Sequence, residues 1–141
     1  MQDNLKKIAS FLSKHHVLTL ATSDGFELSA CNLFYVFDAE KISFVVASSD
    51  ETEHIKNISK NQRVAGTVVL ETKIVGKIEG VQFRGEFLET HDEALKKLYF
   101  KNFPYALATN PKLWEIKIDY FKLTDNTLGF GKKIIWTQSF L

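Results

Sequence analysis

Hydrophobic positions follow two rhythms along the chain. Leu5, Ile8, Ala9 and Leu12 recur at helical spacing, which predicts a first helix from about Asn4 to Lys14 with Asp3 as its N-cap. Short β runs follow: "VLTLAT", then "ELSACNLFYVF" after the turn "SDGF", then "ISFVVA" after the turn "DAEK". Tight turns between such runs imply antiparallel pairing. Ile55 and Ile58 share one side of a short helix, and "RVAGTVVL" is a further strand. In "IEGVQFRGEFLE", Val81, Phe83 and Phe87 alternate with Gln82, Arg84 and Glu86, the period of a half-buried strand. Gly80 and Gly85 within it mark bulges or close backbone approach. Thr90 and Glu93 fit a capping box for a helix through Leu95, Leu98 and Tyr99. "LWEIKIDYFKL" alternates again, "TDNTLGFGK" is a turn, and "KIIWTQSFL" is a last strand.

These elements predict a mainly β fold with flanking α-helices, in which about six antiparallel strands close or nearly close into a barrel. The 141 residues suit one domain, 1–141, with no linker, repeat or low-complexity segment. A net charge of +1 gives no general attraction to nucleic acid or acidic membranes. No apolar run approaches the roughly 18 residues of a membrane span. The N-terminus is too polar for a signal peptide, so a cytoplasmic protein is expected. The lone Cys31 excludes an intrachain disulfide and a cysteine-based metal site.

The candidate chemistry lies in "SSDETEHIKN", where Ser48, Ser49 and Thr52 precede a helix start. Free amides and the helix dipole favour an anion at such a place, yet the same residues are ordinary N-caps. His54 reads either as a basic partner of that anion or as a solvated surface residue. Cys31 reads as a small packed strand residue, because nothing adjacent in sequence offers it a base. His15 and His16 are adjacent, so their side chains diverge, and they suit a helix C-terminus better than a metal. "LGFGKK" lacks the spacing and helix of a P-loop and reads as a hairpin turn. Trp114 reads as core or interface. Phe34, Phe44, Trp114 and Trp136 are the rings expected on an exposed, dimer-forming face.

The element order, with "HVLTLAT", "NLFYVFD", "TEHIKN", "RVAGTV", "GVQFRGE", "LWEIKID" and above all "TDNTLGFGKKIIW", resembles the pyridoxamine 5'-phosphate oxidase-like family of FMN-binding split barrels. Within it the chain looks most like the small YhbP-like bacterial proteins. The resemblance implies a homodimer with two flavin sites between the subunits. It implies that the flavin ring rests on the second strand around Cys31, Asn32 and Leu33. Val46, Ala47, Ser48, Ser49 and Thr52 would hold the ribityl chain and phosphate, and His54 takes the place of a basic residue. Gln82 could bond the flavin edge, and Lys132, Lys133 and Trp136 could reach the partner's flavin.

Three departures from the parent oxidase stand out. Its Ser-Arg-Lys phosphate pattern reads Thr52-Glu53-His54 here, an expected arginine reads Cys31, and "LGFGKK" replaces the C-terminal Arg-Leu-His motif. The last argues against pyridoxamine phosphate as substrate. The sequence therefore leaves three readings: an FMN-dependent oxidoreductase, a non-catalytic binder of flavin, deazaflavin or haem, and a cofactor-free dimeric barrel. For haem, the available axial ligands are His15, His16, His54 and His91, none of them obviously placed.

Overall fold

The computed structural model describes residues 2–138. Helix α1 spans Asp3–Ser13 and buries Leu5, Ile8, Phe11 and Leu12, the face that the helical spacing marks. Gln2 holds the N-cap position instead of Asp3 and makes no side-chain cap bond. Asp3 is the first helical residue, where its charge complements the dipole.

Strand β1, Val17–Ser23, alternates, with Leu18, Leu20 and Thr22 buried and Val17, Thr19 and Ala21 exposed. The run expected as one strand after it is two, β2 over Leu28–Phe34 and β3 over Val36–Asp38. Tyr35 makes the break. Its N–H donates to the His16 carbonyl, its hydroxyl donates to Leu12 O at 2.7 Å, and its ring meets Phe44 edge-on at 5.0 Å. The chain there leaves β1 and turns to pair with β4, Ser43–Ala47.

Helix α2, Glu53–Ile58, leads to β5, Arg63–Val69, which pairs with the long β6, Glu79–Glu89. Helix α3, Glu93–Asn102, is capped by Asp92, whose carboxylate accepts from the amides of Ala94 and Leu95. Thr90 instead accepts from the Asp92 amide, so the capping box expected of Thr90 and Glu93 is replaced by this single acidic cap. Strand β7, Leu113–Asp125, pairs with β6 along its whole length, and β8 covers Lys133–Thr137. Residues 139–141, expected within the last strand, lie outside the described residues.

The eight strands exceed the six or so expected and form one antiparallel sheet of order β2-β1-β5-β6-β7-β4-β3, with β8 beside β7. Its terminal strands β2 and β3 are consecutive in sequence, so the sheet curls until its ends join covalently at Tyr35. Between β2 and β4 no ladder forms among the described residues, and this is the split of the barrel. Helix α2 packs on β1 and β2 beside that seam: the Asn57 amide donates to Thr22 Oγ1 at 3.0 Å and Ser29 Oγ at 3.2 Å. The interior packs Phe44, Phe83, Phe87 and Phe121 with the leucines of α1. Of the four rings expected outside, only Phe34 is exposed, at 60%; Phe44, Trp114 and Trp136 belong to the core. Period-2 alternation places each of these three on the inward face of its strand.

Candidate functional site

The loop after β4 is anchored from below. Ser48 N donates to Lys112 O at 3.1 Å, and Trp114 Nε1 donates to Ser48 O at 2.9 Å. Thr52 caps α2 by accepting from the Ile55 amide, and its hydroxyl donates to Ser49 O at 2.9 Å. Ser49 in turn hydrogen-bonds the Glu51 carboxylate and helps hold it below the usual carboxylate range. The local hydroxyls are thus tied into the loop and the cap.

His54 is not the solvated residue that its setting in sequence suggests; it is 7% exposed. Its Nε2 lies 2.7 Å from Ser48 Oγ and 3.4 Å from Thr52 Oγ1, and its Nδ1 lies 3.5 Å from Cys31 Sγ. One side of the ring approaches Phe87. No described carboxylate bonds the imidazole, so burial lowers its pKa. Burial likewise raises the Cys31 thiol. The result is a neutral chain from thiol through imidazole to hydroxyl across the seam. Its one ring proton satisfies either neighbour, while the other neighbour donates. A base beside Cys31 was invisible in the sequence because the two residues meet only when α2 folds over β2.

The sheet's outer face carries a second feature. Cys31 and Leu33 turn inward, half-buried, whereas Asn32 turns outward and accepts from Thr19 Oγ1 at 2.8 Å. Register then aligns Asn32, Thr19, Thr67 and Gln82 on four neighbouring strands, a polar row about 14 Å wide. Beside it runs a second row, Ala21, Ala65, Arg84 and Tyr120. All of these residues except Asn32 line an open cavity of about 430 Å³ whose floor is the short side chains of β1 and β5. Arg84 and Tyr120 had no motif to announce them; only the alternation of β6 put Arg84 beside Gln82.

The remaining expected site residues divide. Val46 is fully buried and Ala47 half-buried, beneath the Ser48 loop. Trp136 points into the core against Phe121, while Lys132 and Lys133 are exposed. Ala47 stands opposite Leu113 and Lys133 opposite Thr124, so β7 separates them by roughly 36 Å of strand. One chain does not bring the two lysines to the Ser48 loop. Among the described residues no group of three or more His, Cys, Asp or Glu side chains could hold a metal ion. No described helix is long and apolar enough to cross a membrane.

A curled antiparallel sheet with an open seam and flanking helices defines the split-barrel class. Solved structures share it: a heme binding protein from Mycobacterium smegmatis (TM-score 0.78, 16% identity, 97% of this chain and 59% of that one). The heme storage protein HutZ from Vibrio cholerae is similar (TM-score 0.66, 16% identity, 81% and 89%), as is a nimc/nima family protein from Clostridium acetobutylicum (TM-score 0.70, 16% identity, 94% and 92%). At these identities the likeness shows the fold alone. No family model matches the chain. It is 44% identical over 140 residues to a UPF0306 protein of Cronobacter sakazakii, covering 97% of each chain, and 43% identical to UPF0306 protein YhbP of Escherichia fergusonii, covering 97% and 95%. The chain belongs to the UPF0306 family, the family of YhbP.

Proposed function

We propose that two copies of this chain bind flavin mononucleotide on the outer sheet face and act as an FMN-dependent oxidoreductase. The observation that carries the reading is the polar row from Gln82 to Asn32, which ends one strand short of the Ser48–His54 loop at the seam. A flat ring lies on the floor of short side chains, the polar row meets its heteroatom edge, and the phosphate reaches the loop. The floor and row fit the ring. The loop offers a phosphate its backbone amides, since its hydroxyls are tied into the loop and the cap, and it has no standing positive charge from His54, which is neutral when the site is empty. Bound flavin supplies hydride chemistry, and the chain positions it and keeps water off the sheet face. Among the described residues no histidine lines the cavity, which favours flavin over haem.

The outer face also exposes Val17, Leu28, Phe34 and Val69. A second copy covering them removes an apolar patch from water. It also supplies a route for Lys132 and Lys133 to a site that their own chain does not let them reach.

Titration of the purified chain with FMN and with riboflavin, followed by flavin fluorescence, tests the reading. FMN should bind at one equivalent per chain and more tightly than riboflavin, and light scattering should give a dimer. A monomer, or flavin fluorescence unchanged by the protein, would overturn it.

A further inference from the structure

The chain has two arginines, Arg63 and Arg84, and the fold treats them differently. Arg63 is spent: its guanidinium forms a forked ion pair with Asp119 and stands across the strand from Glu86. Arg84 has no carboxylate within ion-pair reach and makes no side-chain hydrogen bond among the described residues. Its guanidinium carbon lies 4.0 Å from the centre of the Tyr120 ring. Contact with the ring leaves the N–H donors of the guanidinium without a hydrogen-bond partner among the described residues. Among the described residues, Arg84 is the single charged one lining the sheet-face cavity.

The shape of the cavity adds to this. Ala21 and Ala65, in register with Arg84, end one carbon above the sheet, so the space in front of the guanidinium is flat and apolar. Gln82, about 7 Å along β6, lines the same cavity with an amide that donates and accepts. The backbone beneath is closely packed, because a Cβ on Gly66 would come within 2.3 Å of the Thr19 carbonyl and 2.2 Å of the Phe83 ring. A fixed fork of donors beside a flat apolar floor matches a planar group that ends in a carboxylate. Carboxylate geometry accepts two parallel N–H bonds, and the ring covers the floor.

We propose that Arg84, held on Tyr120, is the anchor of a binding site for planar aromatic carboxylates on the outer sheet face. The site shares the floor of Ala21 and Ala65 with the proposed flavin ring, so the two ligands would compete for it, but the acid site does not require that flavin bind.

The test uses 2-naphthoate and its neutral isostere 2-naphthamide as probes, titrated into the purified full-length chain with and without FMN and followed by naphthalene fluorescence anisotropy. Wild type should bind the acid about tenfold more tightly than the amide, the ratio expected for one charge-assisted pair. Arg84→Gln should bring that ratio near one by weakening acid binding far more than amide binding, with circular dichroism showing that the chain remains folded. Arg84→Lys should retain part of the preference, since it keeps charge without the fork. Tyr120→Leu should weaken acid binding through a loosened guanidinium. Equal affinities in wild type, a preference that survives Arg84→Gln, or no binding of either probe would each overturn the proposal. If FMN fails to bind but the Arg84-dependent preference holds, the flavin reading falls and this one stands. If FMN binds and the preference is absent, the reverse is true.

Discussion

The sulfur of Cys31 lies 3.5 Å from Nδ1 of His54, across the seam where β2 and β4 fail to pair. Both groups are desolvated, and the shifts run in opposite directions: the thiol is raised and the imidazole lowered. Each shift disfavours a charge, so the proton stays on sulfur and the pair is neutral near pH 7. The arrangement resembles an activated thiol in its residue types and opposes one in its electrostatics.

Alkylation should show this. Iodoacetamide at pH 7.5 should modify Cys31 in the folded chain at least about tenfold more slowly than in the chain unfolded in urea. A folded-state rate equal to or above the unfolded rate would mean a thiolate–imidazolium pair.

Acid should destabilise the fold through His54. Its folded pKa lies below the 6.5 of the unfolded chain, so the unfolded state takes up the proton first. Stability should therefore be full above about pH 6.5 and fall as the pH drops toward the folded pKa. His15 is lowered as well, chiefly by burial and then by His16 and Lys14, so it adds a loss of the same sign. Melting temperatures from pH 8 to pH 5 should fall less steeply in His54→Gln than in wild type. Parallel curves would mean that His54 is free to charge in the folded state.

Thr52→Ala should act on stability before it acts on any ligand. The hydroxyl accepts from the Ile55 amide and donates to Ser49 O, so its loss removes the cap of α2. Urea denaturation should show a loss of about 1 kcal/mol. A change confined to FMN affinity would mean that the hydroxyl serves the ligand instead of the helix.

Gly85→Ala should be the more damaging substitution. A Cβ there would stand 2.1 Å from the Lys117 carbonyl oxygen, and that oxygen is backbone in the paired strand. The position is also where β6 and β7 shift register, with Asp119 as the extra residue. We expect a loss of about 3 kcal/mol in denaturant unfolding. A loss under about 0.5 kcal/mol would show that the bulge can open.

Hydrophobic periodicity marked most of the helices and strands. The helical spacing of Leu5, Ile8 and Leu12, and the alternation about Val81, Phe83 and Phe87, each found the buried face that the fold uses, because burial of one face is what creates such a pattern. Antiparallel pairing followed from the short turns; of the two glycines expected to mark a bulge or close backbone approach, Gly85 does, whereas Gly80 stays in register with Val69 and Thr124. The break at Tyr35 did not follow from periodicity, since the residue keeps its alternation on both sides and only contacts with α1 and Phe44 turn the chain. The burial of Trp114 and Trp136 was legible in their strand parity, yet the number of rings in the chain suggested an exposed face. The site was legible in part: Ser48, Thr52 and His54 are adjacent in sequence and adjacent in space. What surrounds them was decided by tertiary structure. Cys31 meets His54, which lies 23 positions further along the chain, and Arg84 meets Tyr120 only through the register of β6 on β7. Periodicity records which face of a strand is buried. Contacts between strands depend on register and on the closing of the sheet, and these are set by the packing of the whole barrel.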